Sequence, residues 1–204
     1  MRRFLLAFPT VLLAACAGRT PSPETARVAP PAGSEAGAGE TVSATDLTRS
    51  GKPNVWKFTR PGPDGKPVLV RRETDLNSDG RVDVWEWFDA DGAVERQAVD
   101  LDFDGKPDAV LHFEKGLLVR KELSFGFDGK PHVTAHYEKG KLVRKEKDDN
   151  GDGKVDTWEY WEGGELDRVG VDTDGDGKVD RWEVRRGEGA PSPAAKADAA
   201  ASRR

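Results

Sequence analysis

The chain has 204 residues, 34% of them charged, with a formal net charge of −5 at pH 7 and a mean hydropathy of −0.69. So polar a composition leaves no room for a large conventional core, and the acidity excludes nucleic acid as a partner. Cys16 is the only cysteine, which excludes an intramolecular disulfide even in an oxidising compartment.

In chain order, Met1-Arg2-Arg3 leads into an apolar run from Phe4 to Ala15, broken by Pro9. That layout is a secretory signal, too short for a spanning helix, which needs about 20 apolar residues. The run ends Leu13-Ala14-Ala15-Cys16, which resembles the lipobox of bacterial lipoproteins. The resemblance implies cleavage before Cys16, lipidation of Cys16, and an exported protein anchored in a membrane by acyl chains without spanning it. Ala17 stands where an inner-membrane retention signal would often place Asp, which favours the outer membrane. Removing residues 1–15 takes away two arginines and no acid, moving the formal charge from −5 to −7.

Residues 16–46 hold the lipidated cysteine and a stretch rich in Ala, Pro, Gly, Ser and Thr without apolar periodicity, expected to be a disordered tether. Residues 188–204 have the same character and are expected to be a disordered tail.

Residues 47–187 repeat. The glycines of acidic turns fall at Gly51, Gly80, Gly105, Gly129, Gly153 and Gly177, with spacings of 29, 25, 24, 24 and 24. A second series, Gly65, Gly92, Gly116, Gly140 and Gly164, is followed by an apolar residue and then by Arg71, Arg96, Arg120, Arg144 and Arg168. After each acidic loop the residues alternate: Asp83, Trp85 and Trp87 share one face, while Val82, Val84, Glu86 and Phe88 share the other. Asp91-Gly92, Lys115-Gly116, Lys139-Gly140 and Gly163-Gly164 break each run soon afterwards and suit tight hairpin turns. The expected fold is all-β, an antiparallel meander of β-hairpin repeats of about 24 residues. Eleven candidate strands follow, six after acidic loops and five after hairpin turns. The layout resembles hairpin arrays of bacterial surface proteins, such as antitoxin-like hairpin repeats and choline-binding modules, which lends fold but little function.

The acidic loops carry the chemistry. Three satisfy D-x-[DN]-x-[DN]-G-x₅-E throughout: Asp75, Asn77, Asp79, Asp83 and Glu86; Asp148, Asn150, Asp152, Asp156 and Glu159; and Asp172, Asp174, Asp176, Asp180 and Glu183. They resemble the loops of EF-hands and dockerins, and the resemblance implies calcium. Acids clustered on one turn repel each other without a cation, and hard oxygens in a flexible cage suit calcium better than magnesium.

A weaker candidate keeps Asp100, Asp102, Asp104 and Asp108 but has Pro107 at position 8 and Leu111 at position 12. The loop from Ser124 keeps only Asp128 and Gly129, with Pro131, His132 and Ala135 further on. The loop from Asp46 has Thr48, Ser50, Gly51, Pro53, Asn54 and Lys57. Proline at position 8 thus goes with loss of Glu at position 12, which separates a metal-bearing class from a turn-only class. The Asp100 loop also resembles the calcium turns of integrin-type propeller repeats, which lead directly into strands. A strand rises about 3.3 Å per residue, so a Glu three residues past position 9 lies roughly 10 Å along it. If strands follow the loops, Glu86, Glu159 and Glu183 are structural and Asp83, Asp156 and Asp180 close the cages.

Trp56, Trp85, Trp158 and Trp182 form one column, with Phe58, Trp87, His112, His136 and Tyr160 two residues on. This column reads either as the packing of a thin sheet or as a platform for glycan or cell-wall polymer. The arginines are expected to stack on aromatics or pair with acids on neighbouring strands. Every carboxylate belongs to a repeated loop, whereas catalysis needs one unique constellation, so no enzyme is expected. The expectation is a lipid-anchored envelope protein with calcium-binding repeats, a structural or binding module whose partner is an envelope protein or polysaccharide.

Overall fold

The computed structural model describes residues 34–125 and 130–184. The signal segment, Cys16, residues 17–33, Asp128, Gly129 and the tail from 188 lie outside the described residues.

Among the described residues, twelve strands form one sheet in sequence order. They are β1 (Thr41–Thr45), β2 (Val55–Pro61), β3 (Pro67–Thr74), β4 (Val84–Phe88), β5 (Val94–Val99), β6 (Ala109–Glu114), β7 (Leu117–Leu123), β8 (Val133–Glu138), β9 (Lys141–Lys147), β10 (Thr157–Glu162), β11 (Glu165–Val171) and β12 (Arg181–Val184). All neighbours run antiparallel, so the expected meander of hairpins is the fold.

Eleven strands match the expected ones, and β1 is the correction. It lies inside the stretch read as a disordered tether, because Thr41-Val42-Ser43-Ala44-Thr45 has too little apolar alternation to stand out. Pairing rescues it: Ala44 lies opposite Trp56 and Val42 opposite Phe58. These side chains, with Val70, form the buried cluster of the sheet, in which Phe58 is wholly buried. Residues 34–40 fold back over that face. The Ser34 hydroxyl donates to Glu73, Arg71 donates to the Glu35 carbonyl at 2.7 Å, and Glu40 pairs with Arg60 at 2.8 Å.

The hairpin ends are of two kinds. Lys115-Gly116, Lys139-Gly140 and Gly163-Gly164 have positive φ at both residues, as a tight type I′ turn requires. Asp91-Gly92 departs from the expectation of a tight turn: only Gly92 has positive φ, within a wider loop closed by Asp89 N–H to the Ala93 carbonyl at 2.9 Å. Every hairpin carries a register shift at one equivalent place, after Phe58, Trp87, His112, His136 and Tyr160. One extra residue per repeat strengthens the local twist.

Strand contacts run only between sequence neighbours, so the sheet is a single layer. One long side carries the hairpin turns and the other the acidic loops. No helix among the described residues is long and apolar enough to cross a membrane.

Candidate metal centres

Each acidic loop is built by its own carboxylates. In the loop from Asp75, the position-1 carboxylate accepts from the N–H groups of Ser78 at 2.6 Å and Gly80 at 2.8 Å. Asp83, at position 9, accepts from Leu76 at 2.6 Å and Asn77 at 3.3 Å. Asn77 and Asp79, at positions 3 and 5, accept from the N–H groups two residues further on, both at 2.8 Å. Asp100 accepts from Phe103 and Gly105, Asp148 from Gly151 and Gly153, and Asp172 from Gly175 and Gly177. These bonds force positive φ at positions 4 and 6, found at Arg49, Ser78, Phe103, Gly151 and Gly175 and at Gly51, Gly80, Gly105, Gly153 and Gly177.

The loop from Asp46 has the same backbone. Asp46 accepts from Gly51 N–H at 2.7 Å, and Asn54 takes the place of the position-9 aspartate by accepting from Leu47 at 2.8 Å. The distinction between metal-bearing and turn-only loops therefore lies in side chains and not in chain path.

Successive loops are also tied together. The position-1 N–H of each loop donates to the position-9 carbonyl of the loop before: Asp75 to Asn54, Asp100 to Asp83, Ser124 to Asp108, Asp148 to His132 and Asp172 to Asp156. The loops thus form a row along one side of the sheet, two strand spacings or about 9.5 Å apart.

Carboxylate oxygens converge in two loops. Those of Asp172, Asp174 and Asp176 lie within 4.8 Å of one another, as do those of Asp100, Asp102 and Asp108, and each set can hold a metal ion. Asp104 lies instead toward Lys106, at 3.6 Å. Asp180 accepts from the N–H and hydroxyl of Thr173 at 2.8 and 2.7 Å. The loops from Asp75 and Asp148 have a neutral amide, Asn77 or Asn150, at position 3, so three carboxylates do not meet there in the same way. Asn150 instead donates to Asp156 at 3.0 Å, and Asp152 accepts from Lys154 N–H at 2.8 Å.

The electrostatics follow from crowding and hydrogen bonding. Desolvation, then the charges of Asp104, Asp108 and Asp100, raise the pKa of Asp102 above its ordinary value against the Asp104 N–H. Burial raises Asp83 likewise, with Asp75 and Asp79 adding to it against the N–H groups of Leu76 and Asn77. Desolvation opposes the charge of Asp172, but the N–H groups of Gly177, Gly175, Asp174 and Asp176 outweigh it and lower its pKa. Crowded carboxylates with raised pKa values are those a cation relieves.

The position-12 glutamates stand on strands. Glu86, in β4, pairs with Arg72 at 2.5 Å. Glu159, in β10, pairs with Lys147 and with Lys145 at 3.3 Å, and Glu183, in β12, pairs with Arg181 at 2.8 Å. All three point to the sheet face opposite Trp85, Trp158 and Trp182, as the pleat requires. Sheet cations therefore occupy these carboxylates.

A base at position 7 was not singled out from the sequence, yet every loop has one: Lys52, Arg81, Lys106, Lys130, Lys154 and Lys178. Lys178 pairs with Asp176 of its own loop at 2.7 Å, while Lys154 reaches across to the Gly175 carbonyl of the next at 2.6 Å. Their regular spacing was the available signal. Lys106 and Lys178 partly neutralise acids of their own loops, Asp104 and Asp176.

On the sheet face, the aromatic and arginine columns prove to be one row. Phe58, Arg71, Trp87, Arg96, His112, Arg120, His136, Arg144, Tyr160 and Arg168 alternate strand by strand. Guanidinium groups stack on Phe58 at 3.9 Å, Trp87 at 4.1 Å and Tyr160 at 4.6 Å. Where histidine replaces the ring, the arginine meets its Nε2, at 3.0 Å for His112 and 3.3 Å for His136. Glu122 and Glu146 pair with Arg120 and Arg144 at 3.1 and 3.2 Å. Both histidines are thus part of the packing row.

The chain matches no family model and no curated protein, so the reading rests on the loops and the sheet themselves.

Proposed function

We propose that this is an exported, lipid-anchored envelope protein whose row of acidic loops takes up calcium and holds the hairpin sheet together as a structural or binding module. The observation that carries the reading is the convergence of Asp172, Asp174 and Asp176 within 4.8 Å in a loop whose backbone bonds already fix those side chains. The donors are hard oxygens, which suit calcium. The Asp100 loop is the second site; the loops from Asp75 and Asp148, each with an amide at position 3, are weaker ones. Asp83, Asp156 and Asp180, rather than the glutamates at position 12, complete the ligand sets, because the glutamates are engaged by Arg72, Lys145, Lys147 and Arg181.

The membrane anchor rests on the Leu13-Ala14-Ala15-Cys16 motif. The module holds its partner, an envelope protein or polysaccharide, by its surface and not by chemistry. The glycan platform is the weaker reading, because arginines already cover the ring faces of Phe58, Trp87 and Tyr160 that a sugar would need.

Calorimetric titration of the chelator-treated protein with calcium tests the reading. Saturable heat that falls when Asp172→Ala and Asp176→Ala are combined supports it. Absence of heat and identical melting with calcium and chelator would refute it. A site with calcium at ten times its dissociation constant stabilises the fold by about 1.4 kcal/mol.

A further inference from the structure

The described sheet begins and ends out of phase with its hairpins. Its pairs β2–β3, β4–β5, β6–β7, β8–β9 and β10–β11 are hairpins, which leaves β1 as a second strand without a first and β12 as a first strand without a second. Among the described residues both are sheet edges. β12 exposes all four residues, Trp182 at 48% and Val184 at 63%, and an exposed apolar edge is a template for pairing.

We propose that β12 of one copy pairs with β1 of a second copy, joining the chains head to tail into one continuous sheet. The strand directions agree, since β1 follows β12 as any odd strand follows an even one. The register follows from the molecule. In every hairpin, loop position 11 lies opposite the residue two before the next loop: Trp56 with Glu73, Trp85 with Ala98, Val110 with Glu122, Thr134 with Glu146 and Trp158 with Gly170. The same rule sets Trp182 opposite Ala44 of the neighbour, Glu183 opposite Ser43 and Val184 opposite Val42.

The side chains fit that register. Within the chain, Gly170 lies between Trp158 and Trp182, and a Cβ on it would come within 2.9 Å of the Val179 methyls and 3.1 Å of the Trp182 ring, so no side chain stands between these two tryptophans. Ala44, already buried at 6% exposure, has Trp56 on one side, and the docked Trp182 would again set a small residue between two tryptophans. On the opposite face Glu183 would meet Ser43, which stands beside Lys57, so charge and size are both accommodated. The loop row would continue too, with Asp46 N–H directed to the Asp180 carbonyl, as Asp172 is to Asp156. The interface is heterologous, so the assembly is a filament unless its rotation closes a ring. This inference does not depend on calcium.

Sedimentation velocity of the purified full chain, in detergent so that an apolar or lipidated N-terminus does not drive association, provides the test. The wild type should form a concentration-dependent series of oligomers, and Val184→Lys should remain monomeric. Ser43→Glu places like charges opposite each other and should weaken association by about two- to fivefold, and Ser43→Glu with Glu183→Lys should restore it. The restored pair decides the matter if Val184→Lys loses its near-ultraviolet signature of folding. A wild type monomeric at every concentration overturns the proposal, with the edges bare or covered by the chain's own termini. Oligomers that persist in a folded Val184→Lys, or a double variant no stronger than Ser43→Glu alone, overturn it as well.

Discussion

Replacing Asp75 by alanine separates what a loop carboxylate does for the chain from what it does for an ion. The side chain is 2% exposed and accepts from Ser78 and Gly80 at 2.6 and 2.8 Å. A hydrogen bond to a charged group contributes about 1.5 kcal/mol at the lower end of its range, so two lost acceptors cost about 3 kcal/mol. For a domain of this size that lowers the melting temperature by about 6–12 °C. Thermal unfolding followed by tryptophan fluorescence in chelator measures the chain's share alone. Asp75→Asn keeps one acceptor and should lose about half as much. Calcium added to the wild type and to Asp75→Ala should then widen the gap, because only the wild type keeps the ligand. A change under about 0.5 kcal/mol for Asp75→Ala in chelator would refute the reasoning, since surface substitutions without a structural role fall in that range.

Three further substitutions test other parts of the sheet. Burial opposes the charge of Glu159, but Lys147 and Lys145 outweigh it and lower its pKa, so its contribution is present at neutral pH and fades as pH falls through the folded value. Glu159→Gln should therefore cost up to about 1 kcal/mol at pH 7, less in acid, and leave calcium affinity unchanged; weaker calcium binding by calorimetry would return this glutamate to the ligand set. Glu73 is the opposite case: burial raises its pKa, reinforced by Glu40 and opposed by Ser34 and Arg71, so its charge costs stability above the folded value. Glu73→Gln should melt higher than the wild type at neutral pH with the difference shrinking in acid, and a lower melting temperature at pH 7 would contradict this. Ser78 has φ of 64°, where an L-residue costs about 1–2 kcal/mol and glycine costs up to about 1 kcal/mol in chain entropy. Ser78→Gly should thus stabilise by about 0.5 kcal/mol in denaturant titration, and destabilisation would show that the serine side chain holds the loop.

How far the sequence carried the fold depends on the signal. The period, the alternation around Trp85 and Trp87 and the hairpin glycines lead directly to the meander, because each repeat states its pattern again. β1 has too few apolar residues to stand out in the sequence, although the repeat phase before Asp46 requires a strand there and Gly39 lies one residue from the hairpin-glycine position. The placement of Glu86, Glu159 and Glu183 on the strand face follows from the pleat alone. Aspartates at positions 1, 3, 5 and 9 with glycine at 6 read from sequence chiefly as ligands, with the turn preference of Asp, Asn and Gly explaining only part of the pattern. In the fold each also receives a backbone N–H, so the same positions serve the turn with or without an ion. That second role is invisible in sequence because it depends on positive φ at position 4, which serine, phenylalanine and arginine adopt here as well as glycine. The position-7 bases offer no ligand oxygen from their side chains, so the calcium-loop pattern leaves them unspecified.

Because each strand touches only its sequence neighbours, every strand–strand contact is formed by nearby stretches of chain, a low contact order for an all-β protein. Such a sheet can form and come apart by zippering from an end, without a central nucleus. The two ends are unequal: β1 and β2 carry the buried cluster beneath residues 34–40, while β12 is exposed throughout. Unravelling therefore starts at β12 and runs toward β2, and amide exchange should be graded along the chain, slowest around Phe58 and fastest around Trp182.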